Sequence, residues 1–232
     1  ILSKVMAGVG SPAKSVIPPE VLYSAENELK GFPYNPAEAR RLLEDAGYKD
    51  TNGDNYLDKN GQNLELKLAF YAPEPGFKEI AEAVQSYYAK VGVKIQIISW
   101  ERATYFDEFG KGNWDACVDF RRLFWGAPST QLYDDFYSKS GLPGVWYQGV
   151  SPEVDRLIEE GMELEAIKKF AEAAQKYIAV QRIAVEEQAV LYPIAYQKTV
   201  IACKDKVTNI SPHPLMPFYN GATTRALAQV EW

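Results

Sequence analysis

Apolar and polar residues alternate twice in the first half of the chain, with one helical repeat between the two alternations. Residues 64–70 place apolar side chains at every second position, which is typical of a strand that buries one face. Residues 80–91 then repeat apolar side chains at the spacing of a helix face, Gly92 ends the repeat, and residues 93–100 alternate again. This order predicts two parallel strands joined by a right-handed crossover helix, with residues 115–120 as a third strand. The fold class is therefore α/β, with a mostly parallel sheet flanked by helices.

Start and stop signals predict further helices around this sheet. Asn35 is a favourable N-cap, Pro36 suits the first helical position, and Gly47 suits the end of that helix. The same kinds of signal predict a short helix over about residues 102–109, a helix from Ser151, a long helix after Gly161, and a strand-rich stretch over residues 189–203.

Proline and glycine are frequent at both ends of the chain. Residues 1–34 are rich in Pro, Gly and Ser, which predicts an extended connector with turns that lies across a surface. Residues 204–232 carry Pro and Gly at short intervals and predict no regular element. Residues 35–203 therefore form the predicted α/β region. The chain opens without Met and without a secretory signal pattern, which suggests the interior of a longer protein.

The composition narrows the classes of function. The chain has 232 residues and a formal net charge of −6, which argues against a nucleic-acid surface or a basic membrane-binding face. No run approaches the roughly 18 apolar residues that a membrane span requires, so none is expected.

The stretch from Trp114 to Tyr137 is the candidate binding region. It passes from the third predicted strand through two arginines into a turn crowded with aromatic residues. Because ligands of parallel sheets lie at the carboxyl ends of the strands, we expect this turn to face a ligand. The predicted ligand-binding residues are Arg121, Arg122, Phe124, Trp125, Gly126, Tyr133 and Tyr196.

Two other interpretations of these residues stay open. The aromatic side chains could fill a core, and the arginine pair could be neutralised by Asp119 as a structural contact. The domain could also present its tyrosine-rich surface to another protein.

The sequence offers little material for catalysis. His213 is the only histidine, and the adjacent carboxylates Asp134-Asp135 and Glu186-Glu187 diverge on any regular element. Walker A and G-x-G-x-x-G motifs are absent. We therefore expect a protein that is not an enzyme and that holds no cofactor.

One loop and one cysteine pair have two interpretations each. Asp50, Asn52, Asp54 and Asp58 match positions 1, 3, 5 and 9 of a calcium loop, although the glycine and the final glutamate of that pattern are missing. The alternative, which we favour, is a turn whose side chains bond their own backbone. Cys117 and Cys203 could form a single bridge, which spacing does not decide.

A series of segments resembles the C-terminal half of the extracellular solute-binding proteins of ABC importers, in the group for oligopeptides, dipeptides and nickel. The segments are GSPAKSVIPP near the start, YNPAEARRLLEDAGYKDTNGDNYLDKNGQNLELKL from Tyr34, GVKIQIISWERATYFDEFGKGNWDA from Gly92, FWGAP from Phe124, SPEVDRLIEEG from Ser151, and VEEQAVLYPIAYQ after it. They keep the order of the family and span nearly the whole chain.

The resemblance implies a two-lobed protein of the type II periplasmic-binding-protein class that closes around a ligand. Residues 1–34 would enter the second lobe, residues 35–203 would form it, and residues 204–232 would cross back to the first. A signal or lipid-anchor region would lie in the other half. The ligand would be a peptide or similar polar organic solute, captured in the periplasm or at the cell surface and delivered to a membrane permease.

One departure from the family leaves more than one ligand class open. Peptide-binding members typically carry an Asp shortly after the Trp-Gly pair, whereas Trp125-Gly126 here leads into Ala-Pro-Ser. Oligosaccharides and metal chelates are therefore alternative ligands. A glycoside-processing enzyme domain is the alternative function.

Overall fold

The computed structural model describes residues 1, 3, 5–8, 10–120, 127–140 and 151–197. The chain divides into two compact units. The described residues of Ile1–Gly8 and Phe32–Phe120 form the sheet unit, and those of Val9–Gly31 and Arg121–Trp232 form the helical unit. The division of the chain into connector, lobe and closing segment stays a prediction.

The elements follow one another along the chain in this order: β1 Ser11–Pro12, α1 Pro36–Asp45, β2 Asp58–Lys59, β3 Gln62–Asn63, β4 Glu65–Tyr71, α2 Phe77–Ala89, β5 Lys94–Trp100, α3 Tyr105–Gly110, β6 Ala116–Val118, α4 Pro128–Phe136, α5 Pro152–Ala166, α6 Phe170–Arg182, a π-helix Ile183–Glu187, and β7 Ala195–Tyr196.

A three-stranded parallel sheet organises the sheet unit. Its strand order is β5-β4-β6, and Leu68 of β4 pairs with Ile97 of β5 and with Ala116 of β6. Helix α2 connects β4 to β5 and buries Phe77 and Ile80 against the sheet. The predicted α/β class, the three parallel strands and the crossover helix are therefore confirmed.

Helix α1 begins as the sequence predicts, but its apolar stripe stays at the surface. The Asn35 side-chain oxygen accepts a hydrogen bond from the Glu38 amide at 3.1 Å, which satisfies one of the free amides of the first turn. No residue of α1 is buried, and Leu42 is 54% exposed.

The acidic loop before β3 bonds its own backbone. Asp50 accepts hydrogen bonds from the amides of Gly53 and Asn55, and Asp58 accepts from the amide and hydroxyl of Thr51. Asp54 accepts from the Tyr56 amide and from asparagine side chains. Each oxygen of the three carboxylates thus has a donor inside the loop, as expected of the turn interpretation.

The helical unit buries a cluster of side chains between α4, α5, α6 and the segment 10–31. Ile17 and Tyr23 of that segment join Leu132, Phe136 and Tyr177 in this cluster. Residues 10–31 are therefore part of a core, although they contain only the two-residue strand β1, which pairs antiparallel with β7.

The helix boundary predicted at Gly161 is wrong. Helix α5 runs through Gly161 to Ala166, and the break falls at Lys168, whose φ is +62°. Gly161 is required for packing, because a Cβ placed on it would lie 2.6 Å from Cε1 of Tyr177. The glycine thus admits a neighbouring ring and does not end the helix.

The stretch 189–203 is not rich in strand where the structure describes it. Only β7 falls within residues 189–197, and the remaining residues of the stretch lie outside the described part. A π-helix precedes it, since the chain continues α6 with wider turns before it leaves the helix. Within the described residues no helix is long and apolar enough to cross a membrane.

Candidate functional site

The three strands of the sheet end together, as parallel strands must. β4 ends at Tyr71, β5 at Trp100 and β6 at Val118, and the Ala72 amide donates to the Trp100 carbonyl at 2.9 Å. We call this carboxyl edge, with the loops and helix α3 that follow it, the aromatic edge. It is the place where parallel sheets hold ligands.

Aromatic rings fill the aromatic edge. The Tyr105 ring lies 5.0 Å from that of Tyr71 and 6.0 Å from those of Trp100 and Phe109, measured between centroids. Trp100, Tyr105 and Phe109 are buried, whereas Phe106 beside them is 68% exposed. The edge is therefore a cluster of rings in edge-on and tilted contact, and the exposed Phe106 ring joins it at 5.2 Å from the ring of Tyr105.

Sequence reasoning did not identify these rings as part of a site. The sequence predicts only a short helix over residues 102–109, although Tyr105 and Phe109 stand at the i, i+4 spacing that places two rings on one helix face. That spacing, directly after a strand that ends in Trp100, is the signal that could have located them.

Phe120 is the last described residue before the predicted ligand-binding turn. Phe120 follows β6, and its ring lies 5.7 Å from that of Phe77 at the start of α2. Arg121 comes next in the sequence.

Five predicted site residues lie outside the described residues: Arg121, Arg122, Phe124, Trp125 and Gly126. Their assignment to a ligand site stays a prediction. The same applies to a bridge between Cys117 and Cys203, because Cys203 is also outside the described part.

Tyr133 lies on α4 in the helical unit and is half-buried. Its ring stacks on that of Tyr137 with 4.7 Å between centroids and 24° between planes. The Tyr137 hydroxyl donates to Glu159 at 2.5 Å, and this hydrogen bond to a carboxylate raises the pKa of Tyr137 to about 12. Tyr133 therefore rests on an anchored ring, and its role toward a ligand stays a prediction.

Tyr196 is held by the segment 10–31. Its hydroxyl lies 2.7 Å from a carboxylate oxygen of Glu26, 2.9 Å from the Ser15 carbonyl and 3.2 Å from the Ile17 carbonyl. Burial is the largest cause that raises the pKa of the Tyr196 hydroxyl, and the hydrogen bond to Glu26 raises it further. The hydrogen bonds to Ser15 lower it. The hydroxyl thus has protein partners already, and no hydrogen bond or ring contact joins Tyr196 to Tyr133 among the described residues.

The described residues offer no ligand set for a bare metal ion. Among them, no three His, Cys, Asp or Glu side chains are grouped so that they could hold one.

Comparison with known proteins assigns the class of this chain. Residues 1–142 match the bacterial extracellular solute-binding proteins, family 5, in its middle part, and the chain belongs to that family. The predicted family and the predicted location outside the cytoplasm are therefore confirmed.

Particular relatives fall within the predicted group. The oligopeptide-binding protein AppA of Bacillus subtilis is 29% identical over 229 residues, which cover 95% of this chain and 40% of AppA. The nickel-binding periplasmic protein of Escherichia coli is 26% identical over 227 residues, covering 93% of this chain and 40% of that protein. The chain thus spans about two fifths of the length of these relatives.

Solved structures confirm the fold. The Bacillus subtilis AppA structure in complex with a nonapeptide matches with a TM-score of 0.68 at 24% identity, over 94% of this chain and 43% of that one. NikA from Staphylococcus aureus in complex with Ni(L-His)2 matches with a TM-score of 0.71 at 22% identity, over 92% of this chain and 42% of NikA. The predicted periplasmic-binding-protein-like lobe is therefore confirmed.

Proposed function

We propose that this chain is the C-terminal, ligand-holding part of the substrate-binding component of an ABC import system. It captures a peptide or similar polar organic solute outside the cytoplasm and delivers it to a membrane permease. The observation that carries the proposal is the aromatic edge, where three parallel strands end in packed rings and the chain runs on directly to Arg121.

The proposed contacts divide by chemistry. Phe124, Trp125 and Tyr133 supply apolar and stacking surface, and Gly126 allows close approach of the backbone. Arg121 and Arg122 donate charge-assisted hydrogen bonds to a carboxylate or another polar group, and Tyr196 contributes its hydroxyl. Because the sequence carries a single histidine and its adjacent carboxylates diverge on any regular element, we propose that the chain is not an enzyme and uses no cofactor.

A metal chelate is the second candidate ligand. The nickel-binding relative matches 93% of this chain. We propose that such a metal would be bound through the organic part of its complex, since no three His, Cys, Asp or Glu side chains are grouped among the described residues.

The test uses the full-length protein that contains this chain. Calorimetric titration with di- to nonapeptides, oligosaccharides and the nickel–histidine complex identifies the ligand class. Trp125→Ala should then weaken binding by about tenfold or more, because truncating an aromatic anchor removes a large share of the binding energy. Tyr34→Ala is the matched control, since Tyr34 is an aromatic residue that is 69% exposed and packs edge-on against Tyr87.

Two results would contradict the proposal. An affinity unchanged by Trp125→Ala for every ligand found would remove the proposed site. Failure of all three ligand classes to bind the full-length protein would remove the proposed function.

A further inference from the structure

Two backbone amides at the end of the segment 10–31 share one carboxylate oxygen. Residues 25–29 form a turn in which the Glu28 and Leu29 amides donate to the Ala25 carbonyl. The next two amides, of Lys30 and Gly31, instead donate to Oε1 of Glu186 at 2.6 and 2.9 Å. Because the acceptor is a carboxylate, these bonds are stronger than bonds to a neutral acceptor.

The π-helix fixes the position of this carboxylate. Ile183, Ala184 and Val185, which precede Glu186 in the π-helix, are all buried. The Gln188 amide donates to the Ile183 carbonyl at 2.9 Å, which closes the element behind Glu186. The carboxylate is therefore presented from an anchored backbone and not from a free loop.

The Lys14 side chain also contacts the residues at the end of the segment 10–31. Its ammonium group donates to the Leu29 carbonyl at 3.0 Å. The aliphatic part of its side chain covers Gly31, since a Cβ on that glycine would lie 3.1 Å from Cγ of Lys14. Gly31 has a φ of +69°, so the backbone here is held in a conformation that a larger residue would resist.

The chain passes from the helical unit to the sheet unit immediately after Gly31. We propose that Glu186 is a latch that immobilises Lys30 and Gly31, the last two residues of the helical unit before the chain enters the sheet unit. The latch is a conformational device of the fold and does not depend on which ligand the protein binds.

Amide hydrogen exchange on the full chain tests the latch. Glu186→Ala should make the Lys30 and Gly31 amides exchange about tenfold faster or more, because both lose a charged acceptor. Trypsin should also cleave faster after Lys30. Glu187→Ala is the matched control, because Glu187 is the exposed neighbour and accepts no hydrogen bond from the described residues. It should leave both rates unchanged.

The amides inside α6 serve as the reference for the whole helical unit. Faster exchange at Lys30 and Gly31 alone supports the latch, whereas exchange that is unchanged there, or equally faster in α6, overturns it. If Glu186→Ala fails to fold, Glu186→Gln decides by the same comparison. It keeps an acceptor oxygen without the charge and should give a smaller acceleration confined to the two amides.

Discussion

The two units use their aromatic residues differently. In the sheet unit, Tyr71, Trp100 and Tyr105 pack ring against ring at the end of the strands. In the helical unit, tyrosine hydroxyls donate to glutamates on other elements, and Glu165 accepts from both Tyr23 and Tyr177 at 2.7 and 2.9 Å. Rings of the sheet unit thus contact one another at this edge, whereas tyrosine hydroxyls of the helical unit join distant segments by hydrogen bonds.

This difference follows from how the backbone polar groups of each unit are hydrogen-bonded. Parallel strands carry their own backbone hydrogen bonds, so rings at their ends need only fill space. The segment 10–31 contains little regular structure, and its polar groups need partners wherever they are buried. Glu26 provides one such partner, accepting from the Lys14 and Ser15 amides at 2.8 and 3.0 Å and from the Tyr196 hydroxyl.

The largest effect is expected where the irregular segment enters the core of the helical unit. Ile17 is fully buried there, so Ile17→Ala should leave a cavity and lower the free energy of unfolding by about 2–5 kcal/mol. Urea denaturation measures the change. Leu22→Ala is the control, because Leu22 belongs to the same segment but is 56% exposed.

A loss at Ile17 no greater than the loss at Leu22 would mean that the segment is dispensable for the core. The contrast between the two units would then rest on the hydrogen bonds alone.

A smaller effect is expected from crowding the contact between α5 and α6. Gly161→Ala should lower the free energy of unfolding by about 1–3 kcal/mol, since the new Cβ meets the buried Tyr177 ring at 2.6 Å. Gly110→Ala, at the end of α3 in the sheet unit, is the matched control. A Cβ there meets nothing within 4 Å, so this change should be neutral or stabilising by up to about 1 kcal/mol.

Thermal unfolding of both variants measures these changes. Equal melting temperatures for the two variants would show that Gly161 is only a tolerated helix residue and that the Tyr177 ring can move aside.

Local periodicity was sufficient to predict the parallel sheet and its crossover helix. The alternation before Leu68 and the helical repeat after Ile80 mark the strand and the helix, so these elements and their parallel order could be deduced from neighbouring residues, although Leu68, Ala69 and Phe70 are buried on both faces of β4. The packing of the helical unit was harder to predict from the sequence, because its main contacts join residues far apart in the chain. Nothing near Gly161 indicates that a tyrosine sixteen positions later will occupy the space above it.

The candidate site also has one part that could be predicted from local patterns and one part that could not. The carboxyl edge could be located from the order of the strands, and the structure adds that rings of α3 pack there. Tyr196 was selected for its hydroxyl, but the partners of that hydroxyl at Ser15 and Glu26 lie more than 160 positions away along the chain. Such long-range partners have no signature in a local pattern.

The smallest effect concerns the pH dependence of a single tyrosine–glutamate bond. The hydrogen bond to Glu159 raises the pKa of Tyr137 from its ordinary value of 10.0 to about 12 in the folded chain. Between pH 10 and about 12 the folded chain therefore keeps the proton of the Tyr137 hydroxyl, whereas the unfolded chain has released it. The contribution of the bond to stability is fully present below pH 10 and is lost as the pH rises through 12.

Melting curves between pH 8 and pH 12 for the wild type and for Tyr137→Phe test this sign. The variant should melt below the wild type at pH 8, and the gap should close as the pH approaches 12. Glu159→Gln tests whether the carboxylate causes the shift. Removing the charged acceptor should bring the pKa of Tyr137 back toward its ordinary value, as measured by a difference absorbance titration. Because Phe keeps the ring, equal melting temperatures at pH 8 would show that Tyr137 contributes through ring packing alone, and the contrast between the two units would not extend to this residue. A gap that stays constant up to pH 12 would contradict the raised pKa of Tyr137.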